Sequence, residues 1–194
     1  MQYKKKYIND RLLEAGQKEF LEKGFRQGSI TTVAEQAGVP IGNLYRYFDG
    51  KGGLLDAIVR NTYQEVPRLV EQLAKIDTDV SLDMKEDAKI HIVQLLLNLF
   101  EAHGKQMVLL SDKCATTRYE DFIQKITDQV ANLVFIKFYG KEGGETDKLM
   151  AYYTSKAFIG TMFDILRSDL SREKNEQIIL RVLNFYFYEL GARK

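Results

Sequence analysis

Between Ser29 and Lys51 the chain reads SITTVAEQAGVPIGNLYRYFDGK, and its polar side chains are of the kinds that engage nucleic acid. Arg46 and Asn43 can make paired hydrogen bonds to base edges. The hydroxyls of Ser29, Thr31, Tyr45 and Tyr47 and the ammonium of Lys51 suit phosphate oxygens. Pro40 and Gly42 present little side-chain bulk, so a groove wall could approach the backbone there. The expected division is therefore base edge or close approach at Pro40, Gly42, Asn43 and Arg46, and phosphate at Ser29, Thr31, Tyr45, Tyr47 and Lys51. Lys51 stands where a helix should begin, the dipole end that disfavours a cation, and a nearby phosphate would account for it.

Two short helices must position these groups. Ile30, Val33, Ala34 and Ala37 recur at helical spacing, so one face of a first helix is apolar. Ser29 can cap its free N–H groups. Gly38 follows the last periodic residue, where a left-handed conformation ends a helix. Val39 can plug the angle, and Pro40 suits a first helical position because the missing N–H has no partner there. A second helix then turns Leu44 and Phe48 inward, leaving Gly42, Asn43, Tyr45, Arg46 and Tyr47 largely outward. This is the layout of a helix-turn-helix.

Residues 12–60 resemble the DNA-binding domain of the TetR family of bacterial transcriptional regulators. LLEAGQKEFLEKGF is similar to that family's first helix with its closing Gly-aromatic pair. Val33-Ala34, AGV at 37–39, and LYRYF with a lysine three residues later follow in register. The resemblance covers roughly a quarter of the chain. It implies an all-α protein, with an N-terminal three-helix domain followed by a larger bundle, about nine helices in all. It also implies a homodimer on a palindromic operator and a small-molecule pocket in the bundle. Gly16 and Glu19 depart from the family's apolar or small residues, which suggests a weaker first helix, since Gly costs about 1 kcal/mol against Ala. Gly52 and Gly53 replace its usual acidic residues and would let the start of the next helix fray.

The whole chain sets further bounds. At 194 residues it can bury a substantial core, and 45% hydrophobic with 28% charged residues is ordinary for a soluble protein. No run of 18 apolar residues suggests a membrane span. The basic start MQYKKKYIND has no apolar stretch behind it, so it does not read as a secretory signal. One cysteine, Cys114, fits a reducing cytoplasm. Residues 1–60 hold ten Lys/Arg against seven Asp/Glu, and the remainder 18 against 20, a mild basic bias toward the N-terminal end.

Helical periodicity predicts a first helix over 4–24, ended by Gly24 with Phe25 folding back onto the core. Lys4, Lys5 and Lys6 read as a solvated terminus before they read as a DNA-reaching arm. A longer helix from Lys51 toward residue 75 contains Pro67, which should kink it. Residues 76–83 read as a polar linker with cap-like Ser81 and Asp83. Helices are then expected over Ala88–His103, interrupted by Gly104, over Tyr119–Tyr139, Thr146–Ser168 and Ser171–Leu190, with 105–113 a short segment between. The domains expected are a DNA-binding domain over 1–50, a connecting helix over 51–75 and a ligand-binding and dimerisation domain over 76–194.

Catalytic signals are missing. His91 and His103 lie twelve residues apart, too far for a short metal-ligand motif, and no GxSxG, P-loop or GxGxxG occurs. No enzyme activity, metal or cofactor is expected, and Cys114 reads as a core residue rather than a redox-sensitive thiol. His91, Gln94, Leu95, Phe100, His103, Met107, Cys114, Tyr119 and Phe122 mix apolar walls with polar tips, as a small-molecule pocket does and as an ordinary core does. For dimerisation, Ala151, Ser155, Phe158, Ile159 and Met162 form one candidate stripe, and Ile178, Val182, Phe185 and Tyr186 another. Both could instead pack inside one subunit. Beside a repressor released by an effector stand two alternatives. One is a DNA-binding protein with no small-molecule switch, controlled by a protein partner, and the other a helical enzyme that has kept a helix-turn-helix.

Overall fold

Glycine and cap residues decide where the helices of the N-terminal half begin and end. In the computed structural model, which describes residues 2–75, 86–140, 142–168 and 170–188, helix α1 spans Gln2–Gln27. Its regular backbone breaks at Gly24 (φ 75°, ψ 163°), a conformation that favours glycine. Phe25 then folds back, its ring 5.7 Å from that of Phe20. Helices α2 (Ile30–Gln36) and α3 (Ile41–Tyr47) follow, and α4 spans Gly50–Lys75. Helix α4 continues through Pro67, which is buried within it. The expected linker 76–83, with Ser81 and Asp83, lies outside the described residues, as does Leu190.

Helix α5 runs Glu86–Asp112 without interruption at Gly104. The expected break fails for a packing reason. A Cβ at Gly104 would lie 3.0 Å from Leu166 Cδ1, so the glycine marks close approach of two helices and not a helix end. Helix α6 (Phe122–Val134) closes in a π turn over Phe135–Tyr139. Helix α7 spans Glu145–Arg167, and α8 (Arg172–Leu183) passes into a second π turn over Asn184–Tyr188. Ser171 caps α8 by accepting from the Lys174 amide at 3.4 Å. The described residues thus form eight α-helices and no strand.

The chain packs as two compact units, with divisions inside α4, inside α5 and after Phe122. The first contains residues 1–65 and 105–122, the second residues 66–104 and 123–194. Residues 105–122, which the sequence reading places in the C-terminal domain, are therefore partners of the N-terminal helices. The amide of Phe25 donates to the Lys113 carbonyl at 2.9 Å. Tyr63 donates to Asp121 at 2.8 Å and packs edge-on against Tyr119, 5.0 Å between rings. The Asp56 carboxylate accepts from Tyr119 and pairs with Arg118 and Arg60. Burial and the Asp121 carboxylate push the Tyr63 phenol up to about 12. The apolar core of this unit joins Leu12, Phe20, Val33, Leu44, Leu54 and Val59 to Leu109, Leu110, Cys114 and Phe122.

The second unit is knit by both apolar and polar contacts. Phe187, from the π turn after α8, lies 6.1 Å from Phe138 in the π turn after α6 and 5.0 Å from Phe158 on α7. Arg172 donates to Gln94 and Asn98 at 2.9 and 3.2 Å and pairs with Glu101, tying α8 to α5. One apolar stripe of this unit is left uncovered. Leu149, Met150 and Tyr153 are exposed on α7, continuing into exposed Ala157 and Gly160, and Phe185 at 74% is the most exposed of the large apolar residues.

Candidate nucleic-acid interface

The placement of α2 and α3 rests on a residue that the sequence reading took for a defect. Glu19 is fully buried in the first unit. One carboxylate oxygen accepts from the backbone N–H of Ser29 at 3.0 Å and from Lys23 Nζ at 2.9 Å. Burial pushes this carboxyl up, but Lys23, the Ser29 amide and the charge of Lys51 outweigh it and hold the group below the usual carboxylate range. The carboxylate thus fixes the residue that begins α2. Ser29 in turn caps α2 through Oγ, which accepts from the Thr32 amide at 3.4 Å. Gly16 has a comparable explanation. A Cβ there would lie 2.8 Å from Leu54 Cδ2, so its absence lets α1 approach α4.

The turn between α2 and α3 is fixed by backbone geometry. Gly38 adopts φ 63°, its amide donates to Glu35 O at 2.9 Å, and the Val39 amide donates to Ala34 O at 3.0 Å. A side chain at Gly38 would also meet the Arg11 guanidinium at 2.7 Å. Pro40 occupies the cap position just before α3, one residue earlier than expected, and the Asn43 amide donates to its carbonyl at 2.8 Å. Leu44 and Phe48 are buried and anchor the inner face of α3.

The outer face of α3 is open. Pro40, Ile41, Gly42, Tyr45 and Arg46 are exposed, Tyr45 at 60%, while Asn43 and Tyr47 are half-buried. Thr31 is exposed on α2, and Ser29 is half-buried with its oxygen committed to the cap. Lys51 differs from the others. Its Nζ donates to the Arg26 carbonyl at 3.1 Å and lies 4.8 Å above the Phe25 ring. The ammonium therefore holds the end of α1, which accounts for its position without a phosphate. Burial lowers its pKa from the ordinary lysine value, and Glu19 partly opposes that.

The remaining candidates fall elsewhere. Met107, Cys114, Tyr119 and Phe122 are buried core residues of the first unit. Burial raises the Cys114 thiol to about 12. His91 is exposed on α5 in the second unit, Gln94 donates to Glu176 at 2.8 Å, and Leu95, Phe100 and His103 are half-buried. These nine residues do not assemble into one site within either unit. Of the two stripes, Ala151, Ser155, Phe158, Ile159 and Met162 are buried within the subunit, so their surface is already covered. Ile178, Val182 and Tyr186 are half-buried, and Phe185 alone is exposed. Among the described residues no cluster of His, Cys, Asp and Glu could hold a metal ion, and no helix is long and apolar enough to cross a membrane.

Two short helices, locked on their inner faces and set at a glycine turn, with an open polar outer face, define a helix-turn-helix DNA-binding domain. Residues 12–58 match the family model described as bacterial regulatory proteins, tetR family. This segment is a TetR-family DNA-binding domain, the family that its motifs resemble. The chain is 27% identical to the probable HTH-type transcriptional regulator YttP of Bacillus subtilis over 94 residues, 48% of this chain. That match spans 44% of the relative, less than half its length. Along its length the chain has the fold of a TetR-family regulator from Bordetella parapertussis (TM-score 0.71, 16% identity, 93% of this chain and 94% of that one). It has likewise the fold of NalD, the secondary repressor of the MexAB-OprM multidrug efflux pump in Pseudomonas aeruginosa (TM-score 0.60, 21% identity, 94% and 96% covered).

Proposed function

We propose that the chain is a transcriptional repressor that binds a palindromic operator as a homodimer and is released by a small-molecule effector. The observation that carries the DNA-binding part is the outer face of α3. Gly42, Tyr45 and Arg46 are exposed there on a helix whose other face is buried through Leu44. Arg46 and Asn43 are assigned to base edges, Pro40 and Gly42 to close approach, and Thr31, Tyr45, Tyr47 and the Ser29 hydroxyl to phosphates. Lys51 supports this surface by fixing the end of α1 and is removed from the phosphate contacts.

The dimer is assigned to the exposed stripe Leu149, Met150, Tyr153, Ala157 and Gly160 on α7 with Phe185 beyond α8, because these apolar groups have no cover within the chain. Small residues in its middle allow two helices to approach closely. A two-fold dimer would present two α3 helices to successive major grooves, roughly 34 Å apart. The effector part rests on the second unit, where the Ser155 hydroxyl is fully buried, one turn from Phe158, without a hydrogen-bond partner. An effector can release the DNA only by binding one domain arrangement more tightly than the other.

Selection of bound duplexes from a random pool at two salt concentrations tests the reading. An enriched inverted repeat is expected, with Arg46→Ala relaxing the preference at one position of each half-site. Affinity that vanishes with salt and enriches no sequence would refute it.

A further inference from the structure

Most of the apolar surface of the first unit is consumed by its own packing, with one aliphatic exception. Its exposed large hydrophobic residues among those described are Tyr7, Ile41 and Tyr45. Both tyrosines carry a hydroxyl at the exposed end. Ile41 carries nothing polar, is 39% exposed, and is the first residue of α3. It stands one turn before Tyr45 on the same helix face and beside Arg46, the residue assigned to a base edge.

Gly42, next to it, adds a second observation. Its backbone is helical rather than left-handed, and a Cβ built there meets no atom within 4 Å. The fold of the free chain therefore has no need of glycine at this position, although Ala is the better helix former. A constraint from outside the chain accounts for it, namely a surface that comes close to the backbone at the start of α3. Close approach at Gly42 carries the side chain of Ile41 to the floor of the same surface.

The major groove offers a single apolar group on its base edges, the C5-methyl of thymine. We propose that Ile41 is a specificity-determining residue that reads a thymine methyl in each half-site of the operator. The inference rests on the DNA-reading role of α3 proposed above. Cytosine at the same position presents an amino donor in the region where thymine presents its methyl, and an aliphatic side chain there leaves that donor unpaired. Discrimination thus comes from a gained methyl contact and from a penalty on the alternative base.

The test uses the full chain and the duplex enriched by selection. Each thymine of the half-site is replaced in turn by deoxyuridine, which removes the methyl and keeps the Watson–Crick pairing. Wild-type protein is expected to lose roughly fourfold in affinity per half-site at one position, the worth of one buried methyl-sized group. Ile41→Ala is expected to bind more weakly and to be indifferent to deoxyuridine at that position, while Ile41→Val, which keeps a branched aliphatic side chain, retains the sensitivity. If a motif is enriched but Ile41→Ala shows the same deoxyuridine profile as wild type, the assignment of Ile41 is overturned and the reading of α3 survives. If no motif is enriched, the reading of α3 falls and takes this assignment with it.

Discussion

Replacing Glu19 by glutamine isolates the charge that fixes the start of α2. The two side chains have nearly the same shape, so no cavity is created. In the wild type, Oε1 accepts from the Ser29 amide at 3.0 Å and from Lys23 at 2.9 Å. A hydrogen bond to a charged group contributes about 1.5–3 kcal/mol, and a neutral one about 0.5–1.5 kcal/mol, so losing the charge at the Ser29 contact costs about 1 kcal/mol. Lys23 is half exposed, and its pairing adds about 0.5 kcal/mol. The loss expected is therefore about 1–2 kcal/mol at neutral pH, or a five- to thirtyfold faster opening-limited exchange of the Ser29 amide. The pH dependence has a defined sign. The folded carboxyl titrates below its unfolded value, so its contribution is complete above the unfolded pKa, about 4.3, and fades as pH falls through the folded one. The gap between wild type and Glu19→Gln, read from urea midpoints, should thus be full at pH 7 and shrink below about pH 4. Equal midpoints at pH 7, or a gap unchanged at pH 3, would refute the argument that a charged Glu19 holds α2.

Gly42→Ala is expected to raise the stability of the free chain by up to about 1 kcal/mol, since space is open around it, while lowering affinity for the selected duplex. Thermal denaturation and a binding titration check the two opposite signs. Lys51→Met should lower stability without DNA by about 1 kcal/mol, because the Arg26 carbonyl loses its donor, and chemical denaturation reads it directly. Cys114 is 1% exposed with its thiol raised to about 12, so iodoacetamide at pH 8 should leave the folded chain unmodified and label it in urea.

The helix-turn-helix was legible because its determinants are local. Ser29, Gly38, Leu44 and Phe48 each act within a few residues of where they stand, and spacing alone exposes them. Glu19 was not legible, since its principal partner is a backbone amide ten residues away, and a carboxylate on an apolar face reads as an error until that amide is in view. Gly104 shows the same gap between propensity and packing. Its cost to an isolated helix was counted, while the Leu166 side chain that excludes a Cβ was not visible. On α7 the most apolar stripe, Ala151 to Met162, was taken for a surface, yet the strongest stripe is the one a core consumes. The mixed face of Leu149, Tyr153 and Gly160 gave a weaker signal because water covers it in the single chain. The open face of α3 was legible except for Ile41, whose apolar type suggested the interior.

Residues 105–122 bear on how such a protein can be recombined. The N-terminal helices present their own continuous stretch of sequence, yet Phe25, Asp56 and Tyr63 find partners in Lys113, Arg118, Tyr119 and Asp121, contributed from much further along the chain. A graft that moved only the first 65 residues onto another bundle would strand the Asp56 carboxylate and uncover the faces that pack on Leu109, Leu110 and Phe122. A DNA-reading head from this chain is transplantable only as two pieces of sequence carried together. A recombination that preserves both should keep the operator preference, and one that splits them should yield a head that no longer holds its shape.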